Sequence, residues 1–134
     1  MGSHARVVRE HLGAMATAPF TLVRDDGAVV CPSCRLAATF FSRLRGLLGR
    51  SGLGEGEGLL IRPTSSIHTF FMRFALDVAF LDRDGRVVKL VPGLRPWRMS
   101  FARGARSALE LSAGEIERRG LRVGDCLQPL AAGS

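Results

Sequence analysis

The chain has 134 residues, 46% of them hydrophobic, and carries 19 Lys and Arg against 12 Asp and Glu, a formal charge of +7. That length fits one domain able to bury its own core. Three cysteines argue against a disulfide scaffold, and no apolar run reaches the ~18 residues of a membrane span.

The basic balance invites an acidic partner. However, Lys89 is the only lysine and the arginines are dispersed, with two acid-poor groups standing out: Arg35, Arg43, Arg45 and Arg50, and Arg86, Lys89, Arg95, Arg98, Arg103 and Arg106. The sequence has no interleaved aromatic pattern, helix-turn-helix signature or zinc finger. A solvated basic surface with only nonspecific nucleic-acid contact is the expectation.

Residues 1–19 read as a mobile tail, and Met1-Gly2-Ser3-His4 has the look of a cloning scar. Arg6 and Arg9 precede a stretch broken by Gly13, Thr17 and Pro19. That is not a secretory signal, so the default location is cytoplasmic. A single domain is expected over 20–130. Phe20–Val23 and Ala28–Cys31 read as short strands around an Asp25-Asp26-Gly27 turn. Cys31-Pro32-Ser33-Cys34 follows, and three readings stay open. The thiols are plain turn residues, half of a zinc site that lacks its second ligand pair (His68 and Cys126 could complete it), or a redox pair at a helix start. No metal and no cofactor is expected.

Thr39–Leu48 keeps Phe40, Leu44, Leu47 and Leu48 at helical spacing, with Arg43 and Arg45 facing out and Gly49 as the cap. The Gly-rich run after it contains Glu55 and Glu57 and no Lys-Ser/Thr, so it is a loop and not a phosphate cradle. Gly58–Ile61 reads as a buried strand ended by Pro63.

Residues 65–92 carry the strongest pattern. His68, Phe70 and Met72 alternate with Thr69, Phe71 and Arg73. Leu76, Val78 and Phe80 then alternate with Asp77, Ala79 and Leu81. Apolar residues on both faces point to a strand covered on both sides, as in a sandwich or barrel. Asp82-Arg83-Asp84-Gly85 suits a type I turn with a bulge, and lacks the further acidic ligands of a calcium loop. Val87–Val91 returns as the second strand of a hairpin and Pro92 stops it.

Gly93–Ala105 reads as irregular and basic. Trp97 there is either an anchor packed on the core or a platform for a ligand, since Trp suits both. Ala108–Leu111 is a strand with Glu110 out of phase. Ser112 and Glu115 fit a capping box for a helix over Ala113–Arg119, closed by Gly120. Val123-Gly124-Asp125 turns into a last strand, Cys126–Leu130, and 131–134 is a tail.

The run HTFFMRFALDVAFLDRDGRVV resembles the signature of the prokaryotic family catalogued as domain of unknown function 192. RLRGLLGRSGLGEGEGLLI upstream and SALELSAGEIERRGLRVGDCL downstream resemble that family's other two motifs, in the same order. Many members carry an aromatic version of the His68-Thr69-Phe70 segment. The resemblance covers roughly residues 35–128. It implies a compact, mainly β domain of jelly-roll-like character, sandwich or barrel, with one or two short helices. It implies no established activity.

His68, Arg73, Asp77 and Glu110 are the polar groups on otherwise apolar strands, and with Met72 they make the candidate cleft. A charge in such a place needs a partner or a pocket mouth. One reading is an Arg73 salt bridge to Asp77 or Glu110 that fixes the sheet, with Asp77 buried, ionised and held by Arg73 or by backbone N–H groups. Another is a cleft in which Arg73 recognises an anion and His68 or a carboxylate handles a proton. A third takes His68, Asp77 and Glu110 as metal ligands. The functional expectation is a small binding or accessory domain for a small ligand or protein segment. The alternative is a hydrolase- or isomerase-like enzyme using His68 with Asp77 or Glu110.

Overall fold

The computed structural model describes residues 18–37 and 52–130. Among them the chain forms β1 (Phe20–Arg24), β2 (Val29–Ala37), β3 (Glu57–Ile61), β4 (Ser66–His68) and β5 (Leu76–Leu81), followed by β6 (Val87–Leu94), β7 (Met99–Phe101), β8 (Ser107–Ser112), α1 (Glu115–Arg118) and β9 (Leu127–Pro129). Seven strands make one sheet in the order β6-β5-β8-β3-β2-β1-β9, and β4 pairs with β7 in a second sheet. β2 and β3 run parallel, while the other pairings among the described residues are antiparallel. The architecture is mainly β, with an open mixed sheet. The expected helix over Thr39–Leu48, residues 1–17 of the expected tail over 1–19, and the expected tail at 131–134 lie outside the described residues. No helix among the described residues is long and apolar enough to cross a membrane.

The hairpin expected from alternation is the centre of the large sheet. Every residue of β5 is buried. Leu76, Val78 and Phe80 join one core cluster with Leu59, Ile61 and Ala108. Ala79 and Leu81 join the other with Leu60, Leu109 and Leu111. The first cluster is covered by the small sheet, through Ile67 and the adjacent Ala102. The second is covered by α1 through Ile116 and by the curl of the sheet, through Leu22 and Leu127.

The β5–β6 turn closes as its residues dictate. Asp82 Oδ1 accepts the N–H of Asp84 and of Arg86, and Gly85 takes φ 83°. A side chain at Gly85 would also collide with the carbonyl of Leu127. That close approach brings the two ends of the sheet together. Leu127 N–H donates to Gly85 O at 2.8 Å, Val87 N–H donates to Asp125 O at 2.7 Å, and Arg86 and Cys126 form an isolated bridge.

Several expectations are corrected. β6 continues through Pro92 to Leu94, because it is the edge of its sheet and a missing N–H costs no ladder bond on the outer side. The segment His68–Arg73 is not one strand: β4 stops at His68 and the chain turns, with Phe71 at φ 69°. Gly93–Ala105 is less irregular than its composition suggests, since Met99–Phe101 pairs with β4. Cys31-Pro32-Ser33-Cys34 is not a turn before a helix but lies within β2. A register shift places Leu22 opposite Cys31 and Phe20 opposite Cys34, a bulge that turns both thiols into the core.

The helix after β8 is shorter than expected and is not capped by Ser112. Its N-cap is Gly114, with φ 94° and no side-chain cap of its own. The capping oxygen comes from a distant strand. Asp77 Oδ2 accepts the N–H groups of Gly114 (3.0 Å) and Ile116 (2.9 Å), while Oδ1 accepts that of Gly93 (2.9 Å). Glu115 reaches Arg119 Nε at 2.8 Å and an Arg118 nitrogen at 3.3 Å. Burial pushes its carboxyl up, but Arg119 and then Arg118 outweigh that and hold it below the ordinary glutamate range.

Asp77→Ala strips three inward-facing N–H groups of their acceptor and is expected to cost roughly 3 kcal/mol or more, at about 1–3 per orphaned donor. Asp77→Asn keeps an oxygen for two of the three and should fall between Ala and wild type. Chemical denaturation at pH 7 checks this, and equal stability of Asp77→Ala and wild type would contradict it. For Glu115 the folded carboxyl is the stronger acid. Its stabilisation is therefore fully present above the unfolded value near ~4.3 and lost as pH falls through the lower folded value. Glu115→Gln should be less stable than wild type at pH 7 and converge with it toward the acid limb, read as melting temperature against pH.

Candidate functional site

The five residues singled out from the sequence do not share one cleft. Asp77 is 1% exposed and pairs in register with Leu111, on the face that holds α1. Glu110 is 0% exposed and stands opposite Val78 and Leu59, on the other face. Directly opposed residues of antiparallel strands project to the same side, so the sheet itself separates the two carboxylates. Asp77 has backbone partners, and Arg73 is an exposed residue that forms no ion pair with it. Met72 packs in the core cluster under the small sheet. His68 pairs with Met99 and is half-buried, stacked on Phe70 with its Nδ1 shielded from solvent, while neighbouring Ile67 faces the core.

The outer face of the small sheet is the unusual surface. Phe71 is 63% exposed, Trp97 55%, Met99 62% and Phe101 68%. Four rings make a continuous row: His68 stacks on Phe70 at 4.9 Å, Phe70 on Trp97 at 5.9 Å, and Trp97 meets Phe71 at 4.9 Å and 60°. Beside it, Lys89 Nζ lies 5.6 Å from the Phe101 ring centroid and donates to Phe101 O. Exposed apolar residues clustered in this way mark interaction surfaces.

Thr69 holds the row in place. It is fully buried. Its hydroxyl donates to Arg95 O at 2.6 Å and accepts from Arg98 N–H at 2.9 Å. Its backbone N–H donates to Arg98 O, and its carbonyl accepts from Trp97 and Met72. One small residue therefore locks the 69–72 turn to the 95–98 loop, and Phe71 and Trp97 come out side by side. Both have left-handed backbones, at φ 69° and 62°. Such φ values cost bulky L-residues about 1–2 kcal/mol each, and strain of this kind concentrates at functional positions. Trp97 thus projects outward and is not a core anchor. Thr69 and the positive φ angles carry no mark in the sequence. The one available signal was the concentration of aromatic residues and arginines in two acid-free segments, 61–76 and 86–109.

The cysteine motif lies elsewhere. Cys31 and Cys34 are both fully buried. The hydrogen bond from Cys34 holds the Cys31 thiol below its ordinary range against the opposing effect of burial, and Cys34 is pushed far up by the same bond and by burial. Cys31 Sγ packs so close to Gly58 that a Cβ there would stand 2.5 Å away. The pair fills the core of a strand instead of opening a helix. Among the described residues, no group of three or more His, Cys, Asp or Glu is placed to hold a metal ion.

Comparisons with known proteins fit this architecture. The sequence model of the DUF192 family, described as "Uncharacterized ACR", matches residues 21–129. A UPF0127 protein of Thermococcus sibiricus is 35% identical over 107 residues, covering 76% of this chain and 69% of its own. A UPF0127 protein of Pyrococcus furiosus is 38% identical over 98 residues, covering 70% and 84%. Among solved structures, a candidate transcription regulator from Sinorhizobium meliloti superposes with a TM-score of 0.71 at 23% identity, over 84% of this chain and 92% of its own. A protein of unknown function from Novosphingobium aromaticivorans gives 0.69 at 24% identity, over 88% and 95%. At that identity the two structures establish the fold alone.

The strained backbone makes a direct prediction. Phe71→Gly and Trp97→Gly should each be more stable than the corresponding Ala variants by about 1 kcal/mol, because glycine accepts positive φ and alanine does not. In ordinary strand or helix positions the order is reversed by a similar amount. Thermal melts of the four variants decide it, and Ala variants equal to or better than Gly would show that the φ angles relax in solution.

Proposed function

The chain belongs to the DUF192 family of uncharacterised proteins, and from that membership, which brings a fold but no assigned activity, we propose a binding domain whose exposed aromatic face takes single-stranded nucleic acid. The observation that carries the reading is the contact between Phe71 and Trp97, two exposed rings held at strained backbone angles. Bases stack on such rings with little regard to sequence, at about 1–3 kcal/mol per base.

Charge selects this occupant over a neutral one. The two segments that build the face, 61–76 and 86–109, contain no Asp or Glu and supply Arg73, Arg95, Arg98 and Arg103. All four are exposed. His68 and Arg73, singled out from the sequence for chemistry, serve here as an end of the ring row and a phosphate contact. The interaction is sequence-tolerant, in keeping with dispersed arginines and no reading helix. An enzyme using His68 with Asp77 or Glu110 finds no support in the geometry, because His68 is on β4 of the small sheet, stacked on Phe70, while both carboxylates are buried on strands of the large sheet.

Fluorescence anisotropy with a labelled 15-residue oligothymidylate tests the proposal. Trp97→Gly and Phe71→Gly should each weaken binding by about 5- to 100-fold, the equivalent of about 1–3 kcal/mol. Neutralising Arg73, Arg95 and Arg98 to Gln should flatten the dependence of log affinity on log salt by roughly 0.7 for each phosphate no longer neutralised. A duplex of equal length should bind more weakly, since its bases are already stacked. Equal binding of the duplex and of an acidic polypeptide, or indifference to Trp97→Gly, would show a surface that reads charge alone and would overturn the proposal.

A further inference from the structure

The large sheet holds a second feature, on the side away from the ring row. Its two ends are pinned together at the Arg86–Cys126 bridge. Past that bridge the walls part, and a cavity of about 610 Å³ opens between β9, β1 to β3 and the β5–β6 turn. That volume falls within the ~300–1,000 Å³ typical of small-molecule sites.

The walls and the mouth differ in character. Leu36, Leu60, Leu81 and Leu127 line the interior, continuous with the core cluster on that face. Arg62 and Arg83 also line the cavity, and both are exposed, so they mark its solvent end. An adjoining cleft of about 360 Å³ shares them and adds Arg106. Among the described residues, none of these three guanidinium groups has an ion-pair partner. Asp82 and Asp84 border the same opening. Asp82, however, is committed to the N–H groups of Asp84 and Arg86, and Asp84 is exposed on the turn. A leucine-lined interior with arginines that have no ion-pair partner among the described residues at its entrance matches a ligand with an apolar tail and an anionic head.

We infer that this cavity binds a single-chain anionic amphiphile of the fatty-carboxylate class, the tail among the leucines and the carboxylate at Arg62 and Arg83. The site shares no residue with the ring row or with the four arginines assigned to it, so either can fail without the other.

Calorimetric titration with octanoate, decanoate and dodecanoate, each below its micelle concentration, tests the inference. One saturable site is expected, with affinity rising about fourfold per methylene, the ~0.8 kcal/mol of burying one CH₂. The double variant Arg62→Gln/Arg83→Gln, its fold checked by melting temperature, should bind octanoate at least about fivefold more weakly and 1-octanol unchanged. Trp97→Gly should leave decanoate binding unchanged. Absence of saturable binding across the series, equal loss for acid and alcohol, or loss in Trp97→Gly would each overturn the assignment.

Discussion

The structure depends on one carboxylate. A sheet covered on both faces has no water to offer a polar side chain inside it, so a buried Asp must find its partners within the protein. Asp77 finds three, all backbone N–H groups, on β6 and at the start of α1. Two of those donors belong to the unpaired N–H groups that every helix start leaves over. A four-residue helix cannot persist on its own propensity. The tie to β5 keeps α1 in place, and with it Ile116, which closes one core cluster. The same helix is fastened further by the buried Glu115, which pairs with Arg118 and Arg119. The central strand, the edge strand and the helix are thus joined at one point, and the sheet presents both faces as stable supports.

On the opposite face a second small group does comparable work for a different purpose. Thr69 contributes no apolar mass, yet its hydroxyl and backbone satisfy groups of Arg95, Trp97 and Arg98 at once. Those bonds offset the cost of holding two aromatic residues at positive φ. If stability were the only constraint, the rings would turn inward, where burial of a large side chain is worth about 1.5–3 kcal/mol. Instead they are held outward on a rigid support, the arrangement expected of a surface whose shape is set before its partner arrives.

Local pattern revealed the elements whose stability is local, and missed those set by distant contacts. The β5–β6 hairpin was readable because the alternation of Leu76–Leu81 and the Asp-x-Asp-Gly turn specify the same geometry independently. The buried state of Asp77 was readable from its phase between Leu76 and Val78. Of the two sets of partners that the sequence allows, Arg73 or backbone N–H groups, the structure takes the second; the sequence could not choose between them, because backbone donors leave no trace in residue type. His68–Arg73 imitates a strand in its alternation, but the turn at Phe71 is imposed by Thr69 and a loop about 26 residues downstream. Pro32 between two cysteines looks like a turn, whereas a bulge absorbs it within β2. The candidate site suffered most, since its five residues were gathered on the assumption that polar groups on apolar strands face one another. The pleat sends Asp77 and Glu110 to opposite sides.

The net charge of +7 understates how cationic parts of the surface are. Among the described residues most acids are drawn inward or into turns. Asp77, Glu110 and Glu115 are buried. Asp26 accepts from Ala28 N–H and Arg24, Asp82 from its own turn, Asp125 from Arg122 N–H, and Glu57 from Gly54 N–H. Carboxylates suit these places because they accept several N–H groups at once, which arginine cannot do. Among the described residues the arginines other than the half-buried Arg24 and Arg119 are exposed. Exposed charge more than a Debye length away is screened, at about 8 Å in physiological salt. What a ligand senses is therefore the local set of side chains and not the total. At the ring row that set contains no acid from either supporting segment, and at the cavity mouth it is three guanidinium groups around one committed carboxylate and one exposed one. The same economy of carboxylates that stabilises turns and the helix start also leaves the ring row and the cavity mouth, the two places proposed to hold an anion, rich in arginine.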